Sequence, residues 1–312
     1  MSFSSGIREE LSRLVPEEQD LKIAELSAAL CFAGRLREEE GEPVLTISAE
    51  RVSPVRKYFT LLKKAIKIED SLFVLKRGSA YTAELKGREP VEEVFGACRL
   101  LKREGGRLFL RSRGLLIDDG RRRAFLRGAF LACGTVSDPE KSYHLEFVCP
   151  DEEKAELLRS LIQGLGMEPG VVTRKRSEVV YLKGSDDIVD LLGAMGAVSA
   201  LMKMENVRIL KEMRNSVNRQ VNCETANLSK MVDASFRQVR DIEYLKEAGA
   251  LDTLPEPLKE AALMRLANPE VPLKELGALL PVPVGKSGMN HRLRKLSEYA
   301  EQLRGEKKEQ LS

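Results

Sequence analysis

The sequence predicts an α+β amino-terminal module built from two related halves, followed by an all-α carboxy-terminal domain. Three observations predict it. Two stretches about one hundred residues apart repeat the same order of elements. Within each stretch, apolar residues switch between the alternation of strands and the three-to-four spacing of helices. Beyond Glu205 the alternation stops and helical spacing remains, punctuated by Pro257, Pro269, Pro272, Pro281 and Pro283.

The repeat is read first because it sets the architecture. Ile23 to Gly34 is a small-residue helix closing on Phe32-Ala33-Gly34, and Arg123 to Gly134 closes on Ala132-Cys133-Gly134. A strand follows each helix, Val44 to Ile47 and Leu145 to Val148. A second helix comes next, Arg51 to Ile66 and Glu152 to Leu165. Two further strands follow, Leu72 to Leu75 with Tyr81 to Leu85, then Val171 to Arg174 with Val179 to Leu182. Arg77-Gly78-Ser79 is the turn inside the first of these pairs. Each half ends on a helix opened by a glycine turn and acids, Leu85-Lys86-Gly87 and Leu182-Lys183-Gly184, and closed by Gly-Ala. Acids suit a helix amino terminus because its dipole is positive there. The expected order is helix, strand, helix, strand, strand, helix, twice over. The halves span about 20–105 and 120–205 within a domain of residues 1–207.

The stretch with Asn215, Asn218, Gln220, Asn222 and Asn227 reads either as a linker or as a helix, and the expected division places a linker at 208–228. Helices are expected over Ser229 to Ala248, Pro257 to Ala267, Leu273 to Leu280 and Lys286 to Gly305, in a domain of 229–312, with a frayed tail from Glu306.

Composition narrows the function. Hydrophobic residues at 43% supply cores, and no apolar run reaches the ~18 residues of a membrane span. Met1 to Glu10 lacks the apolar core of a signal peptide. A soluble, cytoplasmic and nucleoid-associated protein is expected. The five cysteines, Cys31, Cys98, Cys133, Cys149 and Cys223, have no C-x-x-C spacing, and His144 and His291 are the only histidines. Disulfides, a metal site, a cofactor and a histidine-based triad are therefore not expected. The net charge of +3 identifies no partner, but its distribution does. Arg99 to Arg127 holds ten bases against three acids, and Lys286 to Lys295 holds four bases and no acid. Such stripes suit a phosphate backbone, although a solvated face explains the first equally well.

The last two helices read as a helix-turn-helix over about 273–305, Leu273 to Arg304. Leu273, Leu276, Leu279 and Leu280 form one apolar face, with Gly277 small at the crossing. Met289, Leu293 and Leu296 form the inner face of the second helix. Lys286, Ser287, Asn290, His291, Arg292, Arg294 and Lys295 are left on or near its outer face, as DNA-binding candidates. Arg and Asn match guanine and adenine edges bidentately, and Lys and Ser hold phosphates. The turn is two residues longer than the commonest spacing. In this it resembles region 4 of bacterial sigma factors.

Leu26 to Gly34 and Leu126 to Gly134 resemble the LAGLIDADG motifs of homing endonucleases. In that family the two motif helices pack at a pseudo-twofold axis, and an acid before each final glycine binds the metals that cleave DNA. Ala33 and Cys133 stand at those positions here, and neither offers a hard oxygen ligand. The nearest acids that could substitute are Asp138 and Glu140.

Both modules together resemble the WhiA family of Gram-positive bacteria. Phe125-Leu126-Arg127-Gly128-Ala129-Phe130, Tyr143-His144-Leu145-Glu146, Asn218-Arg219, Val221 to Asn227 and Lys286 to Leu293 carry the resemblance. It covers nearly the whole chain. It implies a transcriptional regulator linked to sporulation, cell division and chromosome segregation. The expected protein is a sequence-specific DNA-binding regulator and not an enzyme. Its expected partners are double-stranded DNA in promoter regions and, as a second kind, another transcription factor or RNA polymerase. Arg121, Arg122, Arg123 and Arg127 are accessory DNA contacts on this reading. The alternatives are an amino-terminal domain that docks a protein instead of DNA, and an active endonuclease.

Overall fold

A computed structural model describes residues 2–68 and 71–309. The chain divides into two compact units, Met1–Lys211 and Glu212–Ser312. The expected frayed tail falls partly on 310–312, outside the described residues.

The first unit opens with α1 (Phe3–Arg13), which sequence periodicity did not reveal. Its first half then runs α2 (Gln19–Ala33), β1 (Gly34–Glu39), β2 (Glu42–Ala49), α3 (Val52–Ile66), β3 (Leu72–Arg77), β4 (Ala80–Lys86) and α4 (Arg88–Ala97). A hairpin of β5 (Leu100–Lys102) and β6 (Leu108–Leu110) links the halves. The second half runs α5 (Asp119–Cys133), β7 (Gly134–Val136), β8 (Leu145–Cys149), α6 (Glu152–Gln163), β9 (Gly170–Arg174), β10 (Ser177–Leu182) and α7 (Ser185–Met195).

Each half therefore has one strand more than the sequence indicates. β1 and β7 start at the glycine that closes the preceding helix, so no loop separates helix from strand. β1 reads Arg-Leu-Arg-Glu-Glu and β7 is three residues long, and neither displays enough alternation to be seen. The two sheets share one antiparallel order, β1-β2-β4-β3 and β7-β8-β10-β9. They also share a register: Gly34 pairs with Ile47, and Gly134 with Phe147.

The motif helices α2 and α5 pack closely against each other. A Cβ on Gly128 would lie 2.3 Å from the Glu25 carbonyl oxygen and 3.0 Å from the Ala28 Cβ. Only glycine allows this approach. Leu26, Leu30, Leu126, Phe130 and the inward residues of both sheets, Leu45, Ile47, Leu145 and Phe147, form one continuous core. The fold class is the α+β arrangement expected.

The stretch 208–228 departs from the expected linker. It is helical throughout, inside α8 (Val198–Glu247). Nothing in that range is glycine or proline, so the weak helix preference of its asparagines is never compounded by a breaker. Gln220 adds an i,i+4 bond to Glu224 at 3.0 Å. Beyond α8 come α9 (Glu256–Ala267), α10 (Leu273–Ala278) and α11 (Lys286–Glu309). Their core gathers Ile242, Leu245, Leu258, Leu276, Leu280, Met289, Leu293 and Leu296, separate from the core of the first unit.

Candidate functional site

In the second unit, α10 and α11 are joined by a seven-residue turn, 279–285. Gly277 sets its geometry. The Val284 amide donates to the Gly277 carbonyl at 3.0 Å, and a Cβ there would lie 2.3 Å from the Val284 oxygen. Met289, Leu293, Leu296 and Ala300 face the core, at i, i+4, i+7 and i+11. The opposite face is left to Lys286, Ser287, Asn290, His291, Arg294 and Lys295, all exposed. Arg294 meets Glu298 at 3.2 Å, an exposed i,i+4 pair that water and salt weaken. Arg292 is different. It is half-buried and donates through Nη1 to the Pro257 carbonyl at 3.4 Å, so it ties α11 to the start of α9. The first turn of α11 carries no acid, which leaves its positive dipole end unneutralised.

Part of the basic stripe of the first unit is engaged within the fold. Arg127 is the clearest correction. Its side chain is 12% exposed; Nε and Nη2 reach Glu25 Oε2 at 3.0 and 2.9 Å, and Nη1 reaches the Met195 carbonyl at 3.2 Å. Arg121 pairs with Asp20 and with Asp118. Arg122 pairs with Asp119 at 2.9 Å and donates to the Leu116 and Ile117 carbonyls. Arg123 alone of the four is exposed and without an ion pair among the described residues. A count of bases along the chain could not show this, because Asp20 and Glu25 lie a hundred residues away in sequence.

The sheet faces turned away from the motif helices also carry internal ion pairs. Arg37 on β1 holds Glu84 of β4 at 2.8 Å and Glu39 at 3.0 Å, and Glu84 is fully buried. On the second sheet, Glu146 collects His144 at 3.1 Å and Arg174 at 3.4 Å, and the His144 ring stacks on Tyr181.

Ala33 and Cys133 sit at the ends of α2 and α5, both half-buried. Two guanidinium groups bind the carbonyls next to them. Arg8 of α1 donates to the Gly134 carbonyl at 2.5 Å, and Arg35 donates to the Gly34 carbonyl at 2.9 Å. Lys154 of α6 is 2% exposed, 3.6 Å from Asp151 and over the Phe109 ring at 4.3 Å. Burial holds the Arg8 and Lys154 values below their usual ones, with Glu50 and Asp151 opposing. Burial also pushes the Cys31 thiol up to about 12 and the Cys133 thiol well above its usual value. Asp138 and Glu140 lie past β7 in an exposed turn. No group of three or more His, Cys, Asp or Glu that could hold a metal ion occurs among the described residues. Sequence reading missed Arg8, Arg35 and Lys154. Only Arg35, adjacent to the motif glycine, was placed to give a signal.

Comparison with known proteins follows the same two-part division. The family model described as the WhiA LAGLIDADG-like domain matches residues 122–214, and the WhiA C-terminal HTH domain matches 217–300. The probable cell division protein WhiA of Thermoanaerobacter pseudethanolicus is 44% identical, covering 97% of this chain and 98% of the relative. That of Clostridium acetobutylicum is 43% identical, over 98% and 99%. The crystal structure of full-length WhiA from Thermatoga maritima superposes with a TM-score of 0.58 at 26% identity, over 97% of this chain and 99% of that one. With a repeated motif-helix core, a helix-turn-helix and full-length relatives at this identity, the chain belongs to the WhiA family.

Proposed function

We propose that the chain is a non-catalytic, sequence-specific DNA-binding regulator acting in cell division or sporulation, with α11 as the reading helix. The observation that carries this is the exposed polar face of α11, Lys286, Ser287, Asn290, His291, Arg294 and Lys295, on a helix whose other face is locked into the core. These side chains combine base-edge readers with phosphate holders, next to an acid-free helix amino terminus. Membership in a family whose relatives are described as probable cell division proteins supports the biological setting. The absence of nuclease chemistry is supported by Ala33 and Cys133, and by Arg8 and Arg35 on the adjacent carbonyls. A divalent cation there would meet two guanidinium groups on the adjacent carbonyls and no acid at either motif position.

The test is titration of promoter DNA fragments with the full chain. Asn290→Ala is expected to weaken specific binding by about 1–3 kcal/mol and relax base preference, while Lys295→Ala lowers the salt slope by about one. Specific affinity unchanged in both variants refutes the assignment. Nicking of plasmid in magnesium by the wild-type chain, lost in Asp138→Ala, refutes the non-catalytic reading.

For the first unit we favour protein docking over DNA contact. Its sheet faces carry ion pairs of their own, and its edge strands β3 and β9 expose Phe73, Leu75, Val171 and Val172. Exposed apolar edges suit strand addition by a protein partner. Another transcription factor or RNA polymerase is the expected kind.

A further inference from the structure

The carboxy-terminal half of α8 carries an i,i+4 row that is exposed at every position: Glu224, Leu228, Val232, Phe236 and Arg240. Leu228 is 57% exposed and Phe236 73%. A helix whose apolar side chains form a ridge in water lacks the neighbour that would cover it. A groove of about 400 Å³ lies alongside the ridge, walled by Val239, Pro269 and Val271. Its far wall is held in place. Arg265 donates to the Pro269 carbonyl at 3.2 Å and the Val271 carbonyl at 2.8 Å, and Ser235 donates to Pro269. Ridge and groove therefore lie side by side on the second unit.

The order of residues in the row indicates what covers it. The acid stands at its amino-terminal end, the base at its carboxy-terminal end, and three apolar residues lie between. Turned end for end about Val232, the row is complementary to itself. Leu228 meets Phe236 of the second copy and the reverse, Val232 meets its own mate, and Glu224 meets Arg240 twice. A parallel pairing would set glutamate on glutamate and arginine on arginine. The charges are available for the antiparallel pairing. Among the described residues Arg240 has no ion pair, and Glu224 is held by the Gln220 amide.

We infer that this face of α8 is an interface between two copies of the chain, related by a twofold axis at Val232. Such an isologous contact closes on itself and stops at two copies. It brings two helix-turn-helix units into one particle, so DNA binding becomes dependent on protein concentration.

Sedimentation equilibrium of the full chain tests it, with circular dichroism to verify that each variant keeps its helix content. The wild type is expected to dimerise. Phe236→Glu should remove the dimer, and because Phe236 is mostly exposed the fold should survive. Arg240→Glu and Glu224→Arg should each raise the dissociation constant roughly tenfold, and the two together should restore it to within about threefold. A wild type still monomeric at about 1 mM overturns the inference. So does a dimer indifferent to Phe236→Glu, which would lie on another surface. A double variant no tighter than the single ones overturns the antiparallel register.

Discussion

Glu25 lies fully buried on α2, with Lys57 of α3 on one oxygen and Arg127 of α5 on the other. One carboxylate thus joins both halves of the repeat. Lys57 also donates to the Leu11 carbonyl at 2.7 Å, which ties in α1. Burial pulls the Lys57 value down to about 8, with Glu25 opposing. In the unfolded chain Lys57 keeps its proton up to about 10.5. Between these pH values the unfolded state binds more protons, so stability contributed at this site rises with pH. Urea midpoints of the wild type are expected to climb relative to Lys57→Met from about pH 8 to about 10.5, and parallel curves would contradict this. Gly128 makes a second prediction. Alanine there must displace the Glu25 backbone, at a cost of about 1–3 kcal/mol, measurable by denaturant unfolding. Arg127 reads in sequence as one base of a stripe, and nothing along the chain marks Glu25 as its partner. Their pairing was invisible because it depends on the close approach of two helices one hundred residues apart.

At the scale of elements, the ends of α2 and α5 carry Ala33 and Cys133, and guanidinium groups from α1 and β1 bind the adjacent carbonyls. Restoring acids with Ala33→Asp and Cys133→Asp is therefore expected to leave plasmid uncut in magnesium until Arg8→Ala is added. Nicking by the double acid variant would show that Arg8 does not exclude the metal. The motif helices and the helix-turn-helix were legible because their apolar spacing is regular. α1, β1 and β7 were not, since two are short and all are half polar. α8 was legible only as alternatives. Its asparagines suggest a linker, but the helix needs only freedom from glycine and proline together with the packing of both its ends. In the other direction, Gly277→Ala should destabilise the helix-turn-helix and weaken DNA binding together, because the turn is built on the contact with Val284.

At the scale of the molecule, two cores that share no residue predict two unfolding transitions. Calorimetry should resolve them. Leu30→Ala is expected to lower one and Met289→Ala the other, each by about 2–5 kcal/mol of its unit's stability. A single transition shifted equally by both variants would contradict independent units. The same division separates tasks. In the first unit Arg127, Arg121, Arg122 and Arg37 are held by carboxylates of the same unit, whereas Lys286 and Lys295 of α11 face solvent with no ion pair among the described residues.

The sequence by itself determined the duplicated α+β module, the helical second unit, the missing acids at Ala33 and Cys133, and the polar face of α11. Each of these is local: a spacing, a residue type at a motif position, or a periodicity within one helix. The tertiary structure decided which charges remain free. It buried Arg127 against Glu25, placed Arg8 at the end of α5, and continued α8 through the expected linker. Those outcomes depend on which distant segments are brought into contact, and charge pairing across a fold leaves no periodic trace along the chain.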